Sequence, residues 1–451
     1  MSNETTNVEQ TTKLPAARIL GSYAQKQTGL FMQRIKILGG RINWLQWRKV
    51  VEMVEKYSPG TPLHITTRQD IELHNIREED LPAVHQGLAT VGLGIFGACG
   101  DTVRNFTVST GCELCEDGLD LIPLAELVRR FLEQEAITFA LPKKFKISFS
   151  SCQHVNARPW LNDLAFVALP NRLFTVIGAG SLGPRPATGI KLYDNLPVKD
   201  ILPLCLATVE LFNDHGDRQN RHKARLRHVR EKFGDAAFCH QLNRYFARIR
   251  DSRQWPDLLL TSEDKKIKLL YRLQLPNGNI SPQDALRLAD VLQPLKALLR
   301  INLEHGLEIY GEQPITLPED LAALTENPVV IACPGASTCP RAFANGYDAA
   351  DKIREALKNV QHNGVRINIS GCPNNCGQSA TADIGLIGIL RKIDGQSVEH
   401  YHVLIGGGNG KNDRLAQPYG IFPADQVADV IKKIVIEGIY RQDSKVLTQA
   451  K

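Results

Sequence analysis

One segment of this sequence returns 220 residues later. Lys146–Cys152 (KISFSSC) is answered by Arg366–Cys372 (RINISGC), and the apolar run starting at Asp163 by one starting at Asp383. Two blocks at one offset are hard to obtain by chance. Upstream, the alternating strand and glycine turn of Arg34–Ile42 parallel Arg272–Ile280, with helical stretches expected from near Asn43 and Ser281. The strand pairs that follow set Ile71, Glu72 and Leu73 against Leu307, Glu308 and Ile309, so Arg68 corresponds to Glu304. Val176–Gly180 and Leu404–Gly408 extend the parallel, each followed by a helical stretch. Such a chain folds as two copies of one unit, and a ligand at their interface can be gripped by both while one copy keeps specialised chemistry.

Alternating apolar strands interleaved with longer helical patterns make each copy α/β. At 451 residues, 43% apolar and 23% charged, the chain can bury large cores. No apolar run approaches the roughly 20 residues that span a bilayer, and Met1–Pro15 shows neither a basic nor an apolar targeting region. The expectation is a cytoplasmic protein with a disordered tail at 1–17 and no membrane partner. In that reducing compartment the ten cysteines argue for metal or redox duty where clustered and for core duty where isolated. A net charge of +6 favours an acidic partner or anionic ligand and is too spread to argue for nucleic acid.

Four cysteines are clustered. Cys333 and Cys339 form C-x5-C, and after 32 residues Cys372 and Cys376 form C-x3-C, all on loops rich in glycine and proline. Four thiolates on two rigid loops suit a [4Fe-4S] cube, whose irons each take a sulfur from a different direction. Zinc prefers C-x2-4-C pairs, so the x5 spacing fits it poorly without forbidding it. The stretches CPGASTC and GCPNNCGQSATADIGLIG resemble the signature of the sirohaem-dependent sulfite and nitrite reductases, over about Phe31–Tyr440. The resemblance implies an α/β (α+β) fold, internally duplicated: two ferredoxin-like half-domains plus two sirohaem-binding α/β domains related by pseudo-twofold symmetry. The implied boundaries are 18–90 and 91–212 for the first copy, a basic helical connection at 213–262, then 263–325 and 326–445, the last holding the cluster.

The same resemblance makes Cys333, Cys339, Cys372 and Cys376 the cluster ligands, Cys376 also bridging to the sirohaem iron. Lys144 and Lys146, two apart on an expected strand, point to one face while Phe145 turns to the other; they fall on the family's two active-site lysines. Arg68 and Arg104 fall on its two substrate-binding arginines, whose planar guanidinium groups offer paired donors to an oxyanion. Read without the family, the lysines would be a solvated strand edge and the arginines structural ion pairs. Sirohaem carries many carboxylates, so its expected contacts are Arg34, Lys36, Gln69, Lys143, Asn374 and the glycine turn at Gly178 and Gly180. The basic run Arg218–Arg230 resembles the family's connection between halves; alone it could be a solvated helix or a nucleic-acid patch.

Cys99, Cys152, Cys205 and Cys239 read as core residues, while the Cys112–Cys115 pair has no evident duty. Lys146, asparagine in many nitrite enzymes of the family, favours six-electron reduction of sulfite to sulfide, with reduction of nitrite to ammonia as the alternative. A cobalamin-pathway enzyme resembling precorrin-3B synthase, or a non-catalytic electron carrier, are further readings. With no dinucleotide fingerprint in the sequence, electrons are expected from a protein donor, ferredoxin first and a flavoprotein subunit second.

Overall fold

The computed structural model describes residues 18–109, 119–152, 157–258, 260–262, 267–294, 297–326, 329–362 and 364–441. Cys112 and Cys115 lie outside the described residues, as does the tail at 1–17.

Both copies are visible as matched sheets. In the first α/β domain the sheet runs in the order Ile190–Pro197, Leu173–Gly178, Leu164–Leu169, Ile147–Ser150, Thr107–Val108; in the second it runs Gln417–Pro423, Gln396–Ile405, Ile384–Ile393, Ile367–Ser370, Val330–Ala332. Each sheet pairs its last three strands in parallel and the others antiparallel. Between each glycine stretch and the helix expected after it lies one further strand, Ile190–Pro197 and Gln417–Pro423. Chain that leaves an antiparallel edge strand can return to cover that edge, which removes an exposed row of backbone donors and acceptors; helices Ile201–His215 and Val427–Ile436 follow only after that return.

The two half-domains do not close on their own. Strand Asn279–Ile280, from the second copy, pairs with Leu63–Ile65 at the edge of the first sheet, and Arg41–Asn43, from the first copy, pairs with Leu298–Ile301 in the second. The crossings are enforced by turns that only small residues fit. Gly40 has φ 74° and a Cβ there would lie 2.1 Å from the Ile301 carbonyl oxygen; Gly278 has φ 70° and would meet that of Ile65 at 2.6 Å. Behind each turn a capped helix begins. Asn43 and Gln46 form a capping box for Trp44–Tyr57, and the Ser281 hydroxyl accepts from the Asp284 amide to start Pro282–Leu292. These helices pack together, with the Trp47 indole N–H donating to the Ala285 carbonyl at 2.8 Å, so one apolar core serves both half-domains.

The α/β domains keep separate cores, the first extended by helices Leu226–Phe233 and Asp235–Arg250. Where the copies meet, Arg158 donates to Gln378; both are left-handed (φ 57° and 64°) and occupy equivalent positions of the repeat, which places this contact on the pseudo-twofold axis. Among the described residues no helix is long and apolar enough to cross a membrane.

Candidate active site

The cysteine loops follow the neighbouring parallel strands Val330–Ala332 and Ile367–Ser370, so both emerge from the carboxyl edge of one sheet, where open α/β sheets hold ligands. Their backbones are in close contact: a Cβ at Gly335 would lie 2.3 Å from the Ala344 carbonyl oxygen, and one at Gly377 2.1 Å from that of Ile369. That packing turns backbone N–H groups onto sulfur. The Gly371 amide donates to Cys333 Sγ at 3.2 Å, Arg341 and Ala342 amides face Cys339, and the Asn374 amide and side chain face Cys372. Burial and the neighbouring thiols, Cys376 foremost, push the Cys333 thiol up to about 12. Burial raises the Cys339 and Cys372 thiols as well, and sulfurs so placed become thiolates against strong positive charge, which an iron–sulfur cube supplies. Among the described residues no three His, Cys, Asp or Glu side chains converge on one ion. The C-x5-C and C-x3-C loops with amides turned onto sulfur suit a cube.

Lys144, Lys146, Arg68 and Arg104 come together, with the Cys376 sulfur near Lys144. Phe145 bridges to Val103 and is fully buried, which turns its two lysine neighbours to the opposite side. Neither ammonium has a hydrogen bond or ion pair among the described residues. Burial first, then Arg225, Arg104 and Lys143, draw Lys144 down to about 8, with the Cys376 sulfur pulling the other way. Lys146 lies well below the ordinary lysine value through burial and the charges of Arg68, Lys144 and Arg225, opposed by Asp163. Arg68 donates to Asn162 Oδ1 (3.1 Å) and the Asn105 carbonyl (2.7 Å), while its Nε is buried with no partner. Burial holds this guanidinium down to about 10. Arg104 is oriented by the carbonyls of Gly100 (3.0 Å) and Ala98 (2.9 Å).

The second copy supplies an internal comparison. Lys146 corresponds to Arg366 and Arg68 to Glu304, and there Arg366 and Glu304 close into an ion pair of 2.5 Å. The duplicated fold therefore accepts a neutral pair at this place. In the first copy both positions are cationic, an arrangement that suits an anionic ligand.

A cavity of about 360 Å³ opens beside Arg104 and Lys144, walled also by Arg18, Lys143, Arg218 and Arg341; its acid, Asp101, is held by Arg221 at 2.8 Å. A cationic chamber of this kind fits a tetrapyrrole rich in carboxylates. Lys143 and Asn374 lie at this chamber and at the cluster loop. The other expected cofactor contacts lie elsewhere. Arg34 is paired with Glu72 and lies 3.4 Å from Cys99 Sγ; Lys36 donates to Glu133 at 2.9 Å and the Phe96 carbonyl at 3.1 Å. The Gln69 amide donates to the carbonyls of Val108 and Ile301 and accepts from Val108 N–H, tying the two copies together. Gly178 and Gly180 make room for Leu192 and for the Trp160 carbonyl, at 2.4 and 2.1 Å from a hypothetical Cβ, so chain packing explains them.

Sequence reasoning passed over Asp163 and Arg225. The Asp163 carboxylate accepts from Lys146 N–H at 2.8 Å and from Arg225 at 2.6 Å, deep in the domain. Asp163 opens a repeated block and was therefore visible; Arg225 was hidden in a basic run.

Comparison with known proteins follows this geometry. The model for the nitrite and sulphite reductase 4Fe-4S domain matches residues 99–249 and 327–445, and that for the nitrite/sulfite reductase ferredoxin-like half domain matches 23–91. Ferredoxin–nitrite reductase of Synechococcus elongatus is 27% identical over 91% of this chain and 86% of its own. The chloroplastic enzyme of Oryza sativa is 26% identical over 91% and 75%, and the assimilatory ferredoxin-dependent nitrite reductase of Haloferax mediterranei 27% over 91% and 80%. The solved Mycobacterium tuberculosis NirA protein has a TM-score of 0.79 over 96% of this chain and 88% of that one, a likeness of fold at 22% identity. These relatives overturn the expectation of sulfite, since they are named as nitrite reductases. Lys146 misled because a cationic pocket recognises the charge of an oxyanion and is indifferent to its central atom. The chain belongs to the nitrite and sulphite reductase family, as an enzyme whose cofactors are sirohaem and a [4Fe-4S] cluster.

Proposed function

We propose that this chain reduces nitrite to ammonia, taking six electrons one at a time from ferredoxin. Nitrite, eight protons and six electrons give ammonium and two waters, so the pocket must bind an anion and supply protons repeatedly. The observation that carries the reading is the unpaired quartet of Arg68, Arg104, Lys144 and Lys146, set where the second copy keeps a neutral pair. When bound, the sirohaem and cluster would relay the donor's electrons to the anion. Arg68 and Arg104 orient the anion through paired N–H donors. Lys144 and Lys146 meet it with ammonium groups whose protons burial has loosened, so each Nζ can donate and be recharged from solvent. Cys333, Cys339, Cys372 and Cys376 would hold the cluster, and Lys143, Arg218 and Arg341 would receive carboxylates of the macrocycle. Ferredoxin as donor draws support from the names of the relatives and from the net charge of +6.

Reductant-driven turnover of the holoenzyme with each anion tests the substrate. The expected result is a kcat/KM for nitrite at least tenfold above that for sulfite; a ratio favouring sulfite overturns the reading.

A further inference from the structure

We infer that Arg225 is a positioning residue, which keeps the anion pocket positive by holding the Asp163 carboxylate off the Lys146 ammonium. The inference rests on the anion-binding reading above. Asp163 is fully buried and fixed to the segment that carries the lysines, just ahead of strand Ile147–Ser150, accepting from Lys146 N–H at 2.8 Å. Its remaining capacity goes to Arg225, whose terminal N–H donates to Oδ2 at 2.6 Å and whose Nε–H donates to Oδ1 at 3.3 Å. The groups facing the Lys146 ammonium are Arg68, Lys144, Arg225 and Asp163. Asp163 is the acid in that set, and uncovered it would pair with Lys146 in place of the substrate.

The second copy shows what the fold itself requires here. Asp383 makes the same bond, accepting from Arg366 N–H at 3.0 Å, and its other oxygen accepts from the neutral Asn409 amide at 3.0 Å. A neutral donor therefore satisfies the backbone geometry. In that copy Arg366 already has Glu304 as counter-ion, so the charge on Asp383 threatens nothing. The guanidinium occurs in the copy whose cations must stay unpaired.

A double-mutant cycle on the holoenzyme tests this, read by spectral titration with nitrite, by KM against kcat, and by thermal melting to verify folding. Arg225→Gln should weaken nitrite binding and raise KM about tenfold, with a smaller change in kcat. Arg225→Lys should keep affinity near wild type. Asp163→Asn/Arg225→Gln, which removes both charges of the pair together, should recover affinity to within about threefold of wild type. If Arg225 acts only through its own charge, the double variant stays as weak as Arg225→Gln, and that result overturns the inference; so does wild-type affinity in Arg225→Gln. Should Arg225→Gln not fold, the double variant and Arg225→Lys decide alone, a tenfold loss in the double variant being fatal. A wild type that takes sulfite and refuses nitrite would sink the nitrite reading only, and the same cycle is then read with sulfite.

Discussion

Lys146 stands at a place where stability and binding oppose each other. An ammonium without a partner, half-buried beside Arg68 and Lys144, destabilises the ligand-free fold. Lys146→Met should therefore raise the melting midpoint by about 2 °C or more while raising KM for nitrite about tenfold, the scale of one charge-assisted hydrogen bond of ~1.5 kcal/mol. The pH dependence has a definite sign. Folding loosens the Lys146 proton, so between its folded value and the ordinary lysine value the unfolded chain binds more protons, and stability rises with pH through that window. Chemical unfolding of the ligand-free protein across this range should show a slope that the Met variant flattens; identical slopes in both would remove Lys146 from the buried cationic cluster. At this scale the sequence was informative where signals are local. The cysteine spacing and the two-residue period of Lys144 and Lys146 were readable, whereas the ion pair of Arg225 with Asp163 joins residues 62 positions apart and left no local trace. Gly178 and Gly180 show that a glycine vacated for a neighbouring chain and one vacated for a ligand look alike in sequence.

Among the elements, the two exchanged strands and their glycine turns matter most. Gly40→Ala and Gly278→Ala each place a methyl group against a carbonyl of the other copy at a positive φ. Each should destabilise by ~2–4 kcal/mol, read as a lower denaturant midpoint, with Gly40→Ala the more severe for its shorter approach. Equal, near-neutral effects would mean that the crossings can shift freely. The repeat predicted the strands, the turns and the helices behind them, because hydrophobic period and capping residues are properties of short stretches. It could not predict which sheet each short strand completes. Arg41–Asn43 and Asn279–Ile280 are too short to carry pairing information of their own, and their partners are fixed by the shared packing of Trp47 against the opposite helix.

For the molecule as a whole, reciprocal completion makes the halves inseparable. Residues 18–262 and 263–445, produced as separate chains, should each lack cooperative unfolding, and produced together should yield a soluble complex that co-purifies. A first half that melts cooperatively alone would show that its sheet does not depend on Asn279–Ile280. The charge distribution follows the same plan: equivalent backbones hold an ion pair at Glu304 and Arg366 in one copy and bare cations at Arg68 and Lys146 in the other. The substrate class was the point at which sequence reasoning failed. The four cations of the proposed site would suit either oxyanion, and none of them reports whether nitrogen or sulfur lies at its centre.

The exchanged strands also bear on inheritance. A recombination event that carried away one copy of this gene would leave its sibling with an incomplete sheet, so the pair must descend together. Once joined in that way, one sibling could keep the ancestral frame upright while the other was free to shed acidic residues and become an enzyme.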